Sequence, residues 1–187
     1  MTEQLTEQHR PFLYVVVCAA GIAADVDTLI GAAQDEGWGV GVIATPTALG
    51  FIDRETVEAR TGHAVRSAWR TPGSPQPLPW ADAIAVAPAT FNTVNKWAAG
   101  ISDTLALGIL CEAHGLGTPT AVQPYVNAAQ AAHPAYGASL ERLRSMGVLF
   151  GDAVPHRART DEGRAAYRWT AVLDLLRPVL TGTGGNG

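Results

Sequence analysis

Short runs of unbroken apolar residues alternate along this chain with segments in which apolar residues return every three or four positions. Phe12 to Cys18 is one such run, and its uniform apolarity predicts a central strand buried on both faces. Ile22, Val26, Leu29, Ile30 and Ala33 then recur at helical spacing, which predicts a helix over Ile22–Glu36 that stops at Gly37. Trp38–Ala44 reads as a second strand, and Asp53 opens a short helix, DRETVEART, with acids in its first turns. A third strand over Ala83–Ala87 is followed by helices over about Asn92–Ala99 and Leu105–His114, then by a fourth strand, TPTAVQ. Pro134–Met146 predicts a helix that opens on proline, with Leu140, Leu143 and Met146 on one face. GVLFG is a short fifth strand, and Asp161–Leu180 a last helix. This alternation predicts a parallel sheet with helices on both faces.

Length and composition narrow the picture. The 187 residues fit one domain, with residues 1–10 and 181–187 expected to be loose. A chain that is 47% hydrophobic and 16% charged is not disordered, and a net charge of −4 offers no basic footprint for nucleic acid. Cys18 and Cys111 are too few for a disulfide framework and read as buried thiols of a reducing compartment. The run from Phe12 to Ala24 imitates a signal peptide but is too short to span a bilayer and is preceded by Glu3 and Glu7. A cytoplasmic protein with no membrane partner is expected. The stretch Arg70–Pro79 carries four prolines and reads as an exposed loop.

Open parallel sheets bind ligands beyond the carboxyl ends of their strands. Four segments meet there: CAAGIAA, ATPTALGF, APATFNT and VQPYVNAA. They bring Thr45, Thr47, Thr90, Asn92, Thr93 and Asn127 to one crevice. Any one of these taken alone reads equally as a helix cap or a turn residue. Polar lips at four strand ends fit a phosphate, which hydroxyls, amides and free helix N–H groups bind without a lysine. The dinucleotide fingerprint needs three spaced glycines, and the first turn has only Gly21. No phosphate-loop lysine motif is present either. A mononucleotide such as FMN remains.

WADAIAVAPATFNTVNKWAAGISDTLAL resembles the signature of the homo-oligomeric flavin-containing cysteine decarboxylases. That family includes phosphopantothenoylcysteine decarboxylases and enzymes that oxidatively decarboxylate peptide C-terminal cysteines. Trp80, Ala81, Asp82, Pro88, Ala89, Thr90, Asn92, Thr93, Gly100, Ile101 and Asp103 fall in register, while Phe91 replaces a small residue. The likeness runs from about Phe12 to Phe150. It implies a flavodoxin-like or Rossmann-like α/β fold, bound FMN, and assembly into trimers or dodecamers. It further implies that Gly21, Ile22, Thr45, Thr47, Phe51, Thr90, Asn92 and Thr93 surround the cofactor, and that Asn127 faces a small-molecule or peptide substrate.

The resemblance breaks at two places. The decarboxylases carry a catalytic histidine just before Trp-Ala-Asp, and no residue from Thr71 to Pro79 is a histidine. His63 and His133 are the remaining candidate bases, against ordinary readings as a turn histidine and a helix cap. The family's substrate clamp, Pro-x-Met-Asn-x-x-Met-Trp, here reads PYVNAAQA, with Val126, Gln130 and Ala131 in place of its apolar wall. A flavin-dependent redox enzyme on a small substrate is therefore expected, with standard decarboxylation in doubt. The alternatives are a non-catalytic FMN-binding regulatory or partner subunit and, further off, a flavin prenyltransferase-like enzyme.

Overall fold

A computed structural model describes residues 10–160 and 162–182. The expectation of loose ends at residues 1–9 and 183–187 falls outside the described residues, as does Asp161. The strands are β1 (Phe12–Val17), β2 (Gly39–Ala44), β3 (Ala83–Ala89), β4 (Thr120–Pro124) and β5 (Leu149–Phe150). The helices are α1 (Asp27–Asp35), α2 (Arg54–Thr61), α3 (Phe91–Ala98), α4 (Leu105–Leu116), α5 (Ala128–Ala131), α6 (Pro134–Ser145), α7 (Glu162–Ala166) and α8 (Ala171–Gly182). All pairings are parallel and the spatial order is β2-β1-β3-β4-β5, a flavodoxin-like α/β sheet.

The period of two along β1 builds two cores. Leu13, Val15 and Val17 face a layer with Leu29, Ile30, Val57 and Leu173, from α1, α2 and α8. Phe12, Tyr14 and Val16 face the other, with Val94, Trp97, Leu110 and Leu143, from α3, α4 and α6. Both faces of the central strand are thereby covered, which explains its unbroken apolar sequence. In β2 the alternation Gly39-Val40-Gly41-Val42 puts its glycines against bulky neighbours. A Cβ on Gly39 would lie 2.7 Å from the Phe12 ring, and one on Gly41 would lie 2.9 Å from Leu78. Asp82 ties the sheet's lower edge: its carboxylate accepts from Phe12 N at 2.7 Å, and its own N–H donates to Phe12 O at 2.8 Å. A buried N–H left without such a partner costs about 1–3 kcal/mol. The aspartate of Trp-Ala-Asp is thus a structural clasp.

Three departures from the expected elements have physical causes. The expected helix over Asp161–Leu180 is two helices, because Tyr167 turns inward to donate its hydroxyl to Gln123 O at 2.7 Å and Trp169 buries against the core. The stretch before α1 starts as a 3₁₀ turn at Ala23–Asp25. Asn127 caps a one-turn helix, α5, inside what read as a connection. Arg10 is held at its side chain, which donates to Gly37 O and Trp38 O at 3.0 and 2.6 Å. No helix among the described residues is long and apolar enough to cross a membrane.

Candidate functional site

A cavity of about 580 Å³ opens at the carboxyl ends of β1 to β4. The turn after β1 contributes Gly21, the turn after β2 contributes Thr45 and Thr47, and the start of α3 contributes Thr90, Asn92 and Thr93. Thr90 is the N-cap of α3, with its side chain accepting from Thr93 N at 3.4 Å and donating to Thr93 Oγ1 at 3.3 Å. Thr93 itself is buried and turned toward Cys18. Burial pushes the Cys18 thiol above its ordinary range, an effect the neighbouring Thr93 and Thr90 groups only partly offset. A thiol so held is a packing group. Those two threonines are therefore largely spent inside the fold.

The free donors lie beside them. Asn92 is exposed, and the side chains of Asn92, Thr45 and Thr47 make no hydrogen bond among the described residues. The N–H groups of Phe91 and Asn92 stand in the open first turn of α3, where a helix offers no internal acceptor. Lys96 also lines the cavity and holds Asp103 at 2.5 Å. No carboxylate lines the cavity among the described residues. Neutral donors, a helix amino end and one lysine suit a bound anion.

The remaining sequence candidates are placed differently. Ile22 is 1% exposed and belongs to the core beneath the cavity, so it supports the turn and contacts no solvent-facing space. Phe51 is 43% exposed and lies outside the cavity lining. Asn127 does reach the cavity, but its Oδ1 accepts from Gln130 N at 2.9 Å as the cap of α5. Of the altered clamp, Gln130 lines the cavity, whereas Val126 and Ala131 pack into the core.

His63 sits edge-on to Phe12 at 5.3 Å, at the start of β1. The cavity is at the other end of that strand, about 16 Å away at roughly 3.3 Å per residue. His63 therefore cannot serve the cavity of its own chain. His133 is the N-cap of α6, its Nδ1 accepting from Ala135 N at 3.1 Å, and its ring stands edge-on behind Phe91 at 5.8 Å. Capping is its structural role.

Thr104, Tyr125 and His156 also line the cavity and are not singled out by the sequence; of these His156 carries the chemistry. His156 lines the cavity from the segment after β5. Its ring stacks on Tyr125 with centroids 4.4 Å apart and planes at 28°. Tyr125 in turn meets Tyr167 edge-on at 5.6 Å, and burial raises the Tyr167 hydroxyl well above its ordinary range. The signal available was positional: a histidine just past a strand's carboxyl end, in VPHRART.

The sequence matches the family described as Flavoprotein over residues 2–180. The chain belongs to the Flavoprotein family. Among its curated relatives, phosphopantothenoylcysteine decarboxylase of Oryza sativa subsp. japonica is 28% identical over 144 residues, covering 72% of this chain and 65% of the relative. Coenzyme A biosynthesis bifunctional protein CoaBC of Bacillus subtilis (strain 168) is 30% identical over 144 residues, covering 73% of this chain. The chain spans 35% of that protein's length. Similar solved structures include a PPC decarboxylase mutant complexed with pantothenoylaminoethenethiol, at TM-score 0.75, 20% identity and coverage of 92% and 100% of the two chains. The FMN binding protein AtHal3 aligns at TM-score 0.74 and 19% identity over 93% of this chain and 98% of its own. At such identities these structures establish the shared fold.

Proposed function

We propose that this flavoprotein binds FMN in the cavity at the strand ends and uses it in redox chemistry on a small, thiol-bearing substrate. The observation that carries the reading is the donor set: free Thr45, Thr47 and Asn92 side chains and the open amino end of α3, with no carboxylate among them. These groups would hold the phosphate. Phe91 and Tyr125 would form aromatic walls that exclude water. When bound, FMN supplies a two-electron acceptor. The free thiols of Cys18 and Cys111 support a reducing, cytoplasmic setting.

Phosphate recognition is directly testable. FMN is expected to bind at least about tenfold more tightly than riboflavin, because one charge-assisted hydrogen bond contributes about 1.5–3 kcal/mol. Equal affinities in a fluorescence-quenching titration would show that the lip does not read the phosphate.

A non-catalytic FMN-binding partner subunit is the second reading, favoured by the lack of histidine across Thr71–Pro79. A prenyl-transferring enzyme has less support, since among the described residues Lys96 alone supplies a lysine or arginine to the cavity and is already paired. We further propose self-association. A second, apolar crevice of about 620 Å³ is flanked by Trp69 and Trp80, which are 61% and 75% exposed. Sedimentation at the mass of a single chain would overturn that assembly.

A further inference from the structure

We infer that His156 is the proton-accepting residue of this cavity, for a weak acid such as a thiol; the inference rests on the FMN reading above. Five contacts fix the residue. His156 N donates to Val126 O at 3.2 Å and His156 O accepts from Ala128 N at 2.7 Å, which staples its backbone to the segment leaving β4. The ring lies on Tyr125. On α7, Gly163 approaches so closely that a Cβ there would lie 2.6 Å from both Cβ and Cγ of His156. Finally, Nδ1 is 3.1 Å from Arg157 O. A carbonyl can only accept, so in the neutral ring Nδ1 carries the proton and the lone pair is on Nε2. No hydrogen bond occupies Nε2 among the described residues.

An imidazole with its tautomer set by a backbone carbonyl and its second nitrogen free is equipped to accept a proton. Thr45, Thr47, Thr90 and Asn92 cannot play that part, and Lys96 is held by Asp103. His63 and His133 are committed elsewhere. The bland alternative is that His156 merely fills the gap between Tyr125 and Gly163. A filler would not need its lone pair.

Dithiothreitol serves as the probe for the proton step. It loses two electrons and two protons and closes to its cyclic disulfide; the electrons and one proton go to the flavin, and the other proton goes to Nε2. In anaerobic, FMN-saturated protein, His156→Asn is expected to slow bleaching of the flavin absorbance by about tenfold or more, and added imidazole to restore part of the rate. A second readout needs no turnover. Diethylpyrocarbonate is expected to modify His156 in flavin-free protein, with FMN slowing that reaction about tenfold and leaving His63 unchanged. Equal bleaching rates, or labelling of His156 that ignores FMN, would overturn the assignment while leaving FMN binding intact. Wild-type protein that binds no FMN would overturn both readings together.

Discussion

Phosphopantothenoylcysteine and peptides ending in cysteine are expected to release no carbon dioxide above background from the FMN-saturated protein. The resemblance puts the decarboxylases' imidazole just before Trp-Ala-Asp, and Thr71–Pro79 hold none. A positioned base typically supplies about 10²–10⁴-fold in rate. His156 reaches the cavity from the segment after β5, so a substrate posed for an imidazole on the other loop does not present its proton there. The clamp segment also offers Gln130 to the cavity in place of an apolar side chain. A misplacement of about 1 Å costs roughly another hundredfold. Mass spectrometry of the substrates after incubation decides the matter. Loss of carbon dioxide at an ordinary enzymatic rate would refute the expectation, and His156→Asn would then show whether His156 is the substitute base.

The second large effect concerns affinity. Replacing Thr45 and Asn92 together with alanine is expected to weaken FMN binding by about 10²–10⁴-fold, taking roughly 1.5–3 kcal/mol for each lost bond to phosphate and near-additivity for separate groups. The fold has little at stake at either position. Thr45 makes no side-chain capping bond and Asn92 is exposed, so thermal unfolding of the double variant should match wild type within about 0.5 kcal/mol. Thr90→Ala should behave oppositely, losing about 1 kcal/mol of stability as its cap is removed. A double variant that binds FMN as tightly as wild type would mean that these side chains are only surface residues.

The sheet was legible because burial on both faces forces β1 and β3 to be apolar throughout, a pattern few other elements share. The polar ends of β2, β3 and β4 were legible for the complementary reason, that hydroxyls and amides placed at strand ends need partners. Sequence alone did not separate donors that are free from donors already used. Thr90, Thr93 and Asn127 fit the cavity by position, yet their oxygens serve local caps or buried neighbours, while Thr45 and Asn92 remain available. Local capping and ligand binding draw on the same residue types, so composition cannot tell them apart.

The carboxyl-terminal part was harder to read for another reason. β5 is only two residues long, and the polar run that follows it looks like an ordinary connection. His156 gains its place through backbone bonds to Val126 and Ala128, contacts between segments distant in sequence. Tyr167 and Trp169 likewise break the last helix through tertiary burial that helical periodicity does not reveal. Of the two candidate bases in the sequence, the parallel sheet carries His63 to the opposite end of the strands, and His133 is taken up as the cap of α6.

The absorbance spectrum of the purified protein, taken before and after mild denaturant, decides whether the cavity holds FMN. A yellow protein is expected, with about one flavin per chain, released on unfolding and identified as FMN by its mass, with the cradle of Thr45, Thr47, Asn92 and the α3 amides supplying the phosphate donors. A colourless preparation that also takes up no added FMN would contradict it.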